Sequence, residues 1–173
     1  MMTTKFTARE LAFCGIFGAA ALLLPVIFHL VQLGRAFMPM YIPLVTLAFF
    51  VRPLPAAVTA FITPFISGAM TGMPPFFPPV AVFMGIELGT ISALISWTTI
   101  RWRLNTYIVL IPALIFGRVL YVFMTYVSAL FLDLPAAFLA TVSLMAGWPG
   151  LILMIVVVPP VVKIGNSKRL QGL

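Results

Sequence analysis

Residues 80–100 read VAVFMGIELGTISALISWTTI, an apolar stretch of 21 residues whose one charged member is Glu87. A helix of this length rises about 30 Å, which matches the hydrocarbon core of a bilayer. A second such stretch, residues 106–132, contains Arg118. An ionised side chain near the bilayer centre costs about 3 kcal/mol or more, so such residues face a bundle interior, a partner charge or a polar ligand. The pattern predicts an all-α integral membrane protein with Glu87 and Arg118 as its leading site residues.

The overall composition indicates the same class of protein. The chain has 173 residues, of which 63% are hydrophobic and 8% are charged, and its mean hydropathy is +1.21. Soluble domains carry about 25% charged residues. The net charge of +7 comes from bases that are scattered between apolar runs, so we expect no nucleic-acid partner. Cys14 is the single cysteine, which excludes an internal disulfide.

Prolines, glycines and charges divide the chain into six apolar segments. These are residues 8–31, 40–51, 56–70, 80–100, 106–132 and 136–162, within one membrane domain that covers residues 1–173. Six crossings would place both termini on one side, together with the bases Lys5, Arg9, Arg52, Arg101, Arg103, Lys163, Lys168 and Arg169. The other side would receive only Arg35. The positive-inside rule therefore predicts that both termini are cytoplasmic.

Glu87 and Arg118 are predicted to reach a similar depth in the outer half of the bilayer. At 1.5 Å per residue, Glu87 lies roughly 10 Å and Arg118 roughly 12 Å from the outer face. Two interpretations stay open: the charges pair and lock two helices together, or each binds one end of a ligand. His29 is predicted near the same level.

Two aromatic residues are predicted to join this site. Tyr121 follows Arg118 by three residues and therefore shares its helix face. Trp148 is about twelve residues into the last segment, where it either stacks on a planar ligand or fills the core.

Several catalytic chemistries have no motif in the chain. The sequence contains no G-x-x-x-x-G-K-[ST] phosphate loop, no H-E-x-x-H zinc motif and no G-x-S-x-G elbow. One histidine and one cysteine do not make a standard zinc site. We therefore predict no metal, no cofactor and no enzymatic activity, and favour binding or transport.

The first segment carries two local signals. Thr7 and Glu10 form a capping-box pattern at its start. Ala12, Gly15 and Ala19 place small residues on one face, which allows close approach of another helix in lipid. That helix belongs either to this chain or to another membrane subunit.

The chain resembles the substrate-binding S components of energy-coupling factor (ECF) vitamin transporters. The resemblance covers nearly the whole chain through its size, six segments and terminal placement. Its more specific part consists of the motifs FMPMYIP (37–43), TPFIS (63–67), TGMPP (71–75), MGIEL (84–88) and FGRV (116–119).

The resemblance implies a function and a set of partners. S components bind a vitamin or related micronutrient near the outer face of a prokaryotic plasma membrane, and they dock through the first helix onto a transmembrane coupling subunit driven by two ATPases. By this likeness, Gly15 and Ala19 match the docking motif, with Gly where the family usually has Ala. The gate loops would be residues 32–39, which include Arg35, and residues 71–79, which include Met73. Glu87, Arg118, Tyr121 and Trp148 would line the pocket.

Two other functions are compatible with the residues. One is a self-sufficient secondary transporter or small channel that uses Glu87 as a proton carrier. The other is an assembly subunit in which Glu87 and Arg118 merely lock two helices.

Overall fold

The computed structural model describes residues 6–30, 37–77, 79–131 and 147–171, with side chains throughout except at 29, 30 and 167–171. All regular secondary structure in these ranges is helical. In chain order the helices are α1 (Ala8–Leu30), α2 (Tyr41–Leu47), α3 (Pro53–Thr71), α4 (Val80–Trp102), α5 (Thr106–Phe131) and α6 (Trp148–Gln171).

Five of these helices, all except α2, are long and apolar enough to cross a membrane. For α1, α3, α4 and α5 the helix bounds follow the predicted segments to within about three residues at each end. The predicted capping box is also present at the start of α1. Thr7 N donates to Glu10 Oε2 at 3.0 Å, and Glu10 N donates to Thr7 Oγ1 at 3.2 Å.

The second segment differs from its prediction as a single helix over residues 40–51. Its helix is only seven residues long, Tyr41–Leu47. Tighter turns follow, in which Phe49 N donates to Thr46 O and Phe50 N donates to Leu47 O. Arg52 is then extended, with φ −64° and ψ 162°, because the residue before a proline is disfavoured in the helical region.

Although only partly helical, this segment runs alongside α6 between the two ends of the bundle. A Cβ built at Gly150 would lie 2.8 Å from Phe37 O, and one built at Gly165 would lie 2.6 Å from the Phe50 ring. Fifteen residues of α6 span about 22 Å, so residues 37–50 cover a similar distance. We call the end that contains Phe37 the Met38 end, and the end that contains Phe50 the Glu10 end.

The Glu10 end is held together by polar contacts between distant segments. Arg52 Nε and Nη2 donate to the Glu10 carboxylate at 2.7 and 2.8 Å, and Ser96 Oγ of α4 donates to Val51 O at 2.6 Å. Close to the ion pair, the rings of Phe13, Phe17 and Phe50 stack with centroids 5.6–6.2 Å apart. This set of contacts joins the start of α1 to the end of the second segment.

The core of the bundle is built around α2, which contacts α1, α3, α4 and α6. Its residues Tyr41, Leu44 and Leu47 are among the largest fully buried side chains. A helix that is buried on nearly every side is a core element rather than a lipid-facing one. By contrast α1 is peripheral, since 6% of its apolar window is buried against 28–44% for the other four long helices.

The last helix also differs from its predicted range of 136–162. It begins at Trp148 and continues to Gln171, whereas residues 136–146 lie outside the described ranges. Pro149 stands in the first turn, where its missing N–H would have had no helical partner. The proline therefore marks the start of the helix and not a bend within it, while Pro159 and Pro160 remain inside α6.

Gly85 allows the close approach of α3 and α4. A Cβ at this position would lie 2.8 Å from the Phe65 ring and 3.0 Å from the backbone oxygen of Phe61. We expect Gly85→Ala to lower the free energy of unfolding by about 1–3 kcal/mol, because the backbone cannot yield cheaply. Gly18→Ala is the matched control, since its Cβ would make an ordinary 3.6 Å contact with Thr59. Reversible unfolding in mixed detergent micelles measures both changes, and equal stability of the two variants would contradict the expected tight packing.

Candidate functional site

Glu87 is buried between three helices. It lies on α4 with 2% of its surface exposed, and its Oε2 accepts a hydrogen bond of 2.5 Å from Tyr41 Oη of α2. On its other side, a Cβ built at Gly117 of α5 would lie 3.3 Å from Glu87 Oε1. Glu87 is therefore a partnered buried carboxyl group, as expected for an ionisable residue away from water.

Arg118, on α5, directs its guanidinium toward the Met38 end. The residue is 9% exposed, and its Nη2 donates to Met38 Sδ at 2.9 Å. Its Cζ lies 5.7 Å from the centroid of the Tyr121 ring, a distance at which a cation is attracted to an aromatic face. Tyr121 in turn meets Phe83 of α4 edge-on, with 6.3 Å between centroids.

Gly147, just before α6, and Gly150, in its first turn, leave room for this arrangement. A Cβ at Gly147 would lie 2.6 Å from Arg118 Nη2 and 2.8 Å from Met38 Cε. A Cβ at Gly150 would lie 3.2 Å from Met38 Cβ. The guanidinium is thus covered by Met38 and by the backbone of Gly147.

The two charged residues belong to one neighbourhood. Glu87 lies against Gly117, the residue before Arg118. The structure therefore brings together Glu87, Arg118 and Tyr121, three of the residues that the sequence selected.

Trp148 and Met73 occupy more exposed positions than these three. Trp148 is the first residue of α6 rather than one in its middle, and it is 61% exposed. Met73 lies between α3 and α4, is 42% exposed, and its carbonyl oxygen accepts a 2.7 Å bond from Ser67 Oγ. Their roles in lining a pocket stay predictions. Arg35 and the side chain of His29 lie outside the described residues.

Sequence reasoning missed three members of the site. Tyr41 carried a usable signal, because a phenol in an apolar segment needs a hydrogen-bond partner. Gly147 precedes a Trp-Pro pair, which could have been interpreted as a helix start. Met38 carried no signal of its own, since a methionine in an apolar chain is ordinary packing material.

The predicted docking residues lie on the face of α1 that points away from the rest of the bundle. Ala12, Gly15 and Ala19 are all exposed, and a Cβ built at Gly15 would meet nothing within 4 Å. This helix face is therefore not used for packing against the rest of the described chain.

A separate groove lies between α3 and α4. Its lining is apolar apart from Thr90, and includes Val58, Phe61, Ile62 and Ile86. These four side chains are exposed, and in a membrane such a surface is covered by lipid. It offers no charge to a polar ligand, unlike the neighbourhood of Arg118.

Among the described residues, no three His, Cys, Asp or Glu side chains come close enough to hold a metal ion. Comparison of the chain with models of protein families, with curated proteins and with solved structures gives no match. The likeness to ECF S components therefore rests on the motifs quoted above.

Proposed function

We propose that this chain is a membrane-embedded binding subunit that captures a vitamin or related micronutrient from outside the cell. The observation that carries this proposal is the buried Arg118 guanidinium, placed with Tyr121 and Glu87 at one end of an apolar bundle. A buried charge is a poor device for stability compared with apolar residues of the same volume. Selection for ligand binding is a better physical reason for keeping it.

The proposed topology has six crossings with both termini in the cytoplasm. Residues 37–50 supply the second crossing, because their contacts with Gly150 and Gly165 extend along α6. The Glu10 end would then face the cytoplasm of a prokaryotic cell. It carries Arg52 and the final turns of α4 with Arg101, which agrees with the bias of bases toward the inside.

Energy for uptake would come from partners, as in ECF transporters. The exposed face of α1 with Ala12, Gly15 and Ala19 would dock onto a transmembrane coupling subunit, which two ATPase subunits drive. Because small residues allow close helix contact in lipid, this face suits a helix of another chain.

Mass spectrometry of the protein purified in mild detergent tests the proposed function directly. We expect a bound micronutrient that carries an anionic group, and uptake that requires ATP when the partners are present. Absence of binding across a vitamin panel would contradict the proposal. Uptake that survives ATP depletion but collapses with the proton gradient would instead indicate a secondary transporter.

Docking through α1 predicts that a variant can lose energised uptake and still capture ligand. Ala19→Leu should lower energised uptake about tenfold, equivalent to about 1.4 kcal/mol of docking free energy, because the larger side chain keeps the partner helix away. Ligand capture by the isolated protein should not change. Ala69→Leu, at an exposed position on α3, is the matched control and should leave both measurements unchanged. Equal uptake by the two variants would argue against docking at this face.

Gly147 predicts a defect in capture without a loss of stability. The atoms that a Cβ at this position would meet are the far ends of the Arg118 and Met38 side chains, which can turn away. We expect Gly147→Ala to weaken ligand capture about tenfold, or about 1.4 kcal/mol, because the guanidinium is displaced. Thermal unfolding should stay within about 2 °C of the parent. A large fall in stability with unchanged capture would show that this glycine serves packing alone, and Gly18→Ala is again the control.

A further inference from the structure

The contact between Met38 and Arg118 pairs a strong hydrogen-bond donor with a weak acceptor. Arg118 Nη2 lies 2.9 Å from Met38 Sδ. A thioether sulfur is a weak acceptor, whereas the guanidinium is suited to bidentate binding of carboxylate and other oxyanions. The sulfur therefore occupies a place at which an oxyanion would bind more strongly.

Met38 reaches this place through an uncommon backbone conformation. Its φ is +46°, in the left-handed region that bulky residues rarely adopt. Residues held in such conformations cluster at ligand clamps and switch regions. Its carbonyl oxygen also accepts a hydrogen bond from Tyr41 N at 2.9 Å, so Met38 is attached to the helix whose Tyr41 binds Glu87.

Met38 is only half-buried, and it packs against the hydrophobic core. Gly147, just before α6, and Gly150, in its first turn, approach Met38 without side chains of their own. The Tyr121 ring also contacts the guanidinium of Arg118. A movement of the thioether would uncover Arg118 without breaking the Tyr41–Glu87 hydrogen bond.

We propose that Met38 is a displaceable cap on an oxyanion-binding position at Arg118. A carboxylate or sulfonate group takes the place of the sulfur on Nη2, and the Met38 side chain moves outward. Glu87 stays with Tyr41 and does not contact the anionic group. The ligand of the proposed function would therefore carry a carboxylate or sulfonate group. The cap itself does not depend on the proposed function, and only its role in uptake does.

Charge-selective labelling tests the cap in the full chain reconstituted in nanodiscs. In a Cys14→Ala background, Met38→Cys is treated with an anionic sulfonatoethyl or a cationic trimethylammonioethyl methanethiosulfonate. We expect the ratio of the anionic to the cationic reaction rate to be about tenfold higher at Met38→Cys than at a control cysteine, because Arg118 attracts the anionic reagent and repels the cationic one. Met70→Cys, at a position 75% exposed near the end of α3, is the control and should show no such preference.

The preference should disappear when Arg118→Gln is added to Met38→Cys and should persist with Arg118→Lys. The same ratio of anionic to cationic rates at Met38→Cys and at Met70→Cys would overturn the proposal, even if the Arg118→Gln protein failed to fold. So would the absence of any reaction under conditions that fully label Met70→Cys, because the cap would then never open. Charge selectivity without vitamin binding would support the cap and reject the transport role, whereas vitamin binding without selectivity would do the opposite.

Discussion

Arg118→Gln is expected to abolish measurable capture of the ligand, with binding at least about a hundredfold weaker, or about 2.7 kcal/mol. The buried guanidinium supplies the positive charge of the site, and loss of one member of a buried charged contact costs about 2–5 kcal/mol in binding. Arg118→Lys keeps the charge but loses the planar fork, so we expect about a tenfold effect. The measurement is ligand per protein by mass spectrometry, followed by titration calorimetry.

Exchange of the two charges separates a ligand site from a helix lock. In the double variant Glu87→Arg with Arg118→Glu, a pair that only locks α4 to α5 should keep its function. A ligand site should lose it, because the positive charge then stands beside Tyr41 instead of Met38. Retained capture in this double variant would therefore overturn the role given to Arg118.

Arg52→Ala is expected to lower the free energy of unfolding more than Glu10→Ala does. Removing one partner of an ion pair leaves the other charge unpaired, and the cost of that unpaired charge rises with its burial. The side chain of Glu10 is only 10% exposed, whereas that of Arg52 is 39% exposed. Arg52 left alone can therefore turn to water, but Glu10 left alone keeps a buried charge with only Thr7 and the Arg52 backbone as donors.

A double-mutant cycle measures this ion pair. If the two side chains act as one unit, the double variant should be about as stable as Glu10→Ala alone, because it also lacks the carboxylate that Arg52→Ala leaves unpaired. Arg101→Ala removes an exposed base near the same end and should change stability by less than about 0.5 kcal/mol. Additive losses from the two single changes would show that Glu10 and Arg52 do not depend on each other.

The sequence predicted the long helices well, because their length and apolar character are set locally. Residues 80–100 and 106–132 became α4 and α5 nearly unchanged, and the capping box of Thr7 and Glu10 formed as its spacing indicated. These features depend on residues that are close together in the sequence, so they could be predicted from it. The depth of Glu87 and Arg118 in a bilayer, obtained from helix rise, stays a prediction.

Features that depend on tertiary contacts could not be obtained in this way. The apolar character of residues 40–51 suits a lipid-facing helix and a buried core segment equally well, and only the packing of α2 among four helices distinguishes them. Pro149 is compatible with a bend or with a helix start. The contact of Met38 with Arg118 joins residues 80 positions apart, and no local pattern encodes such a pairing.

The ion pair between Glu10 and Arg52 also constrains how the protein is made. The two residues are 42 positions apart, so the Glu10 carboxylate cannot form this ion pair until Arg52 has left the ribosome. The first helix lies at the periphery of the bundle. It would form its ion pair with Arg52 only after the next stretch of chain has been synthesised.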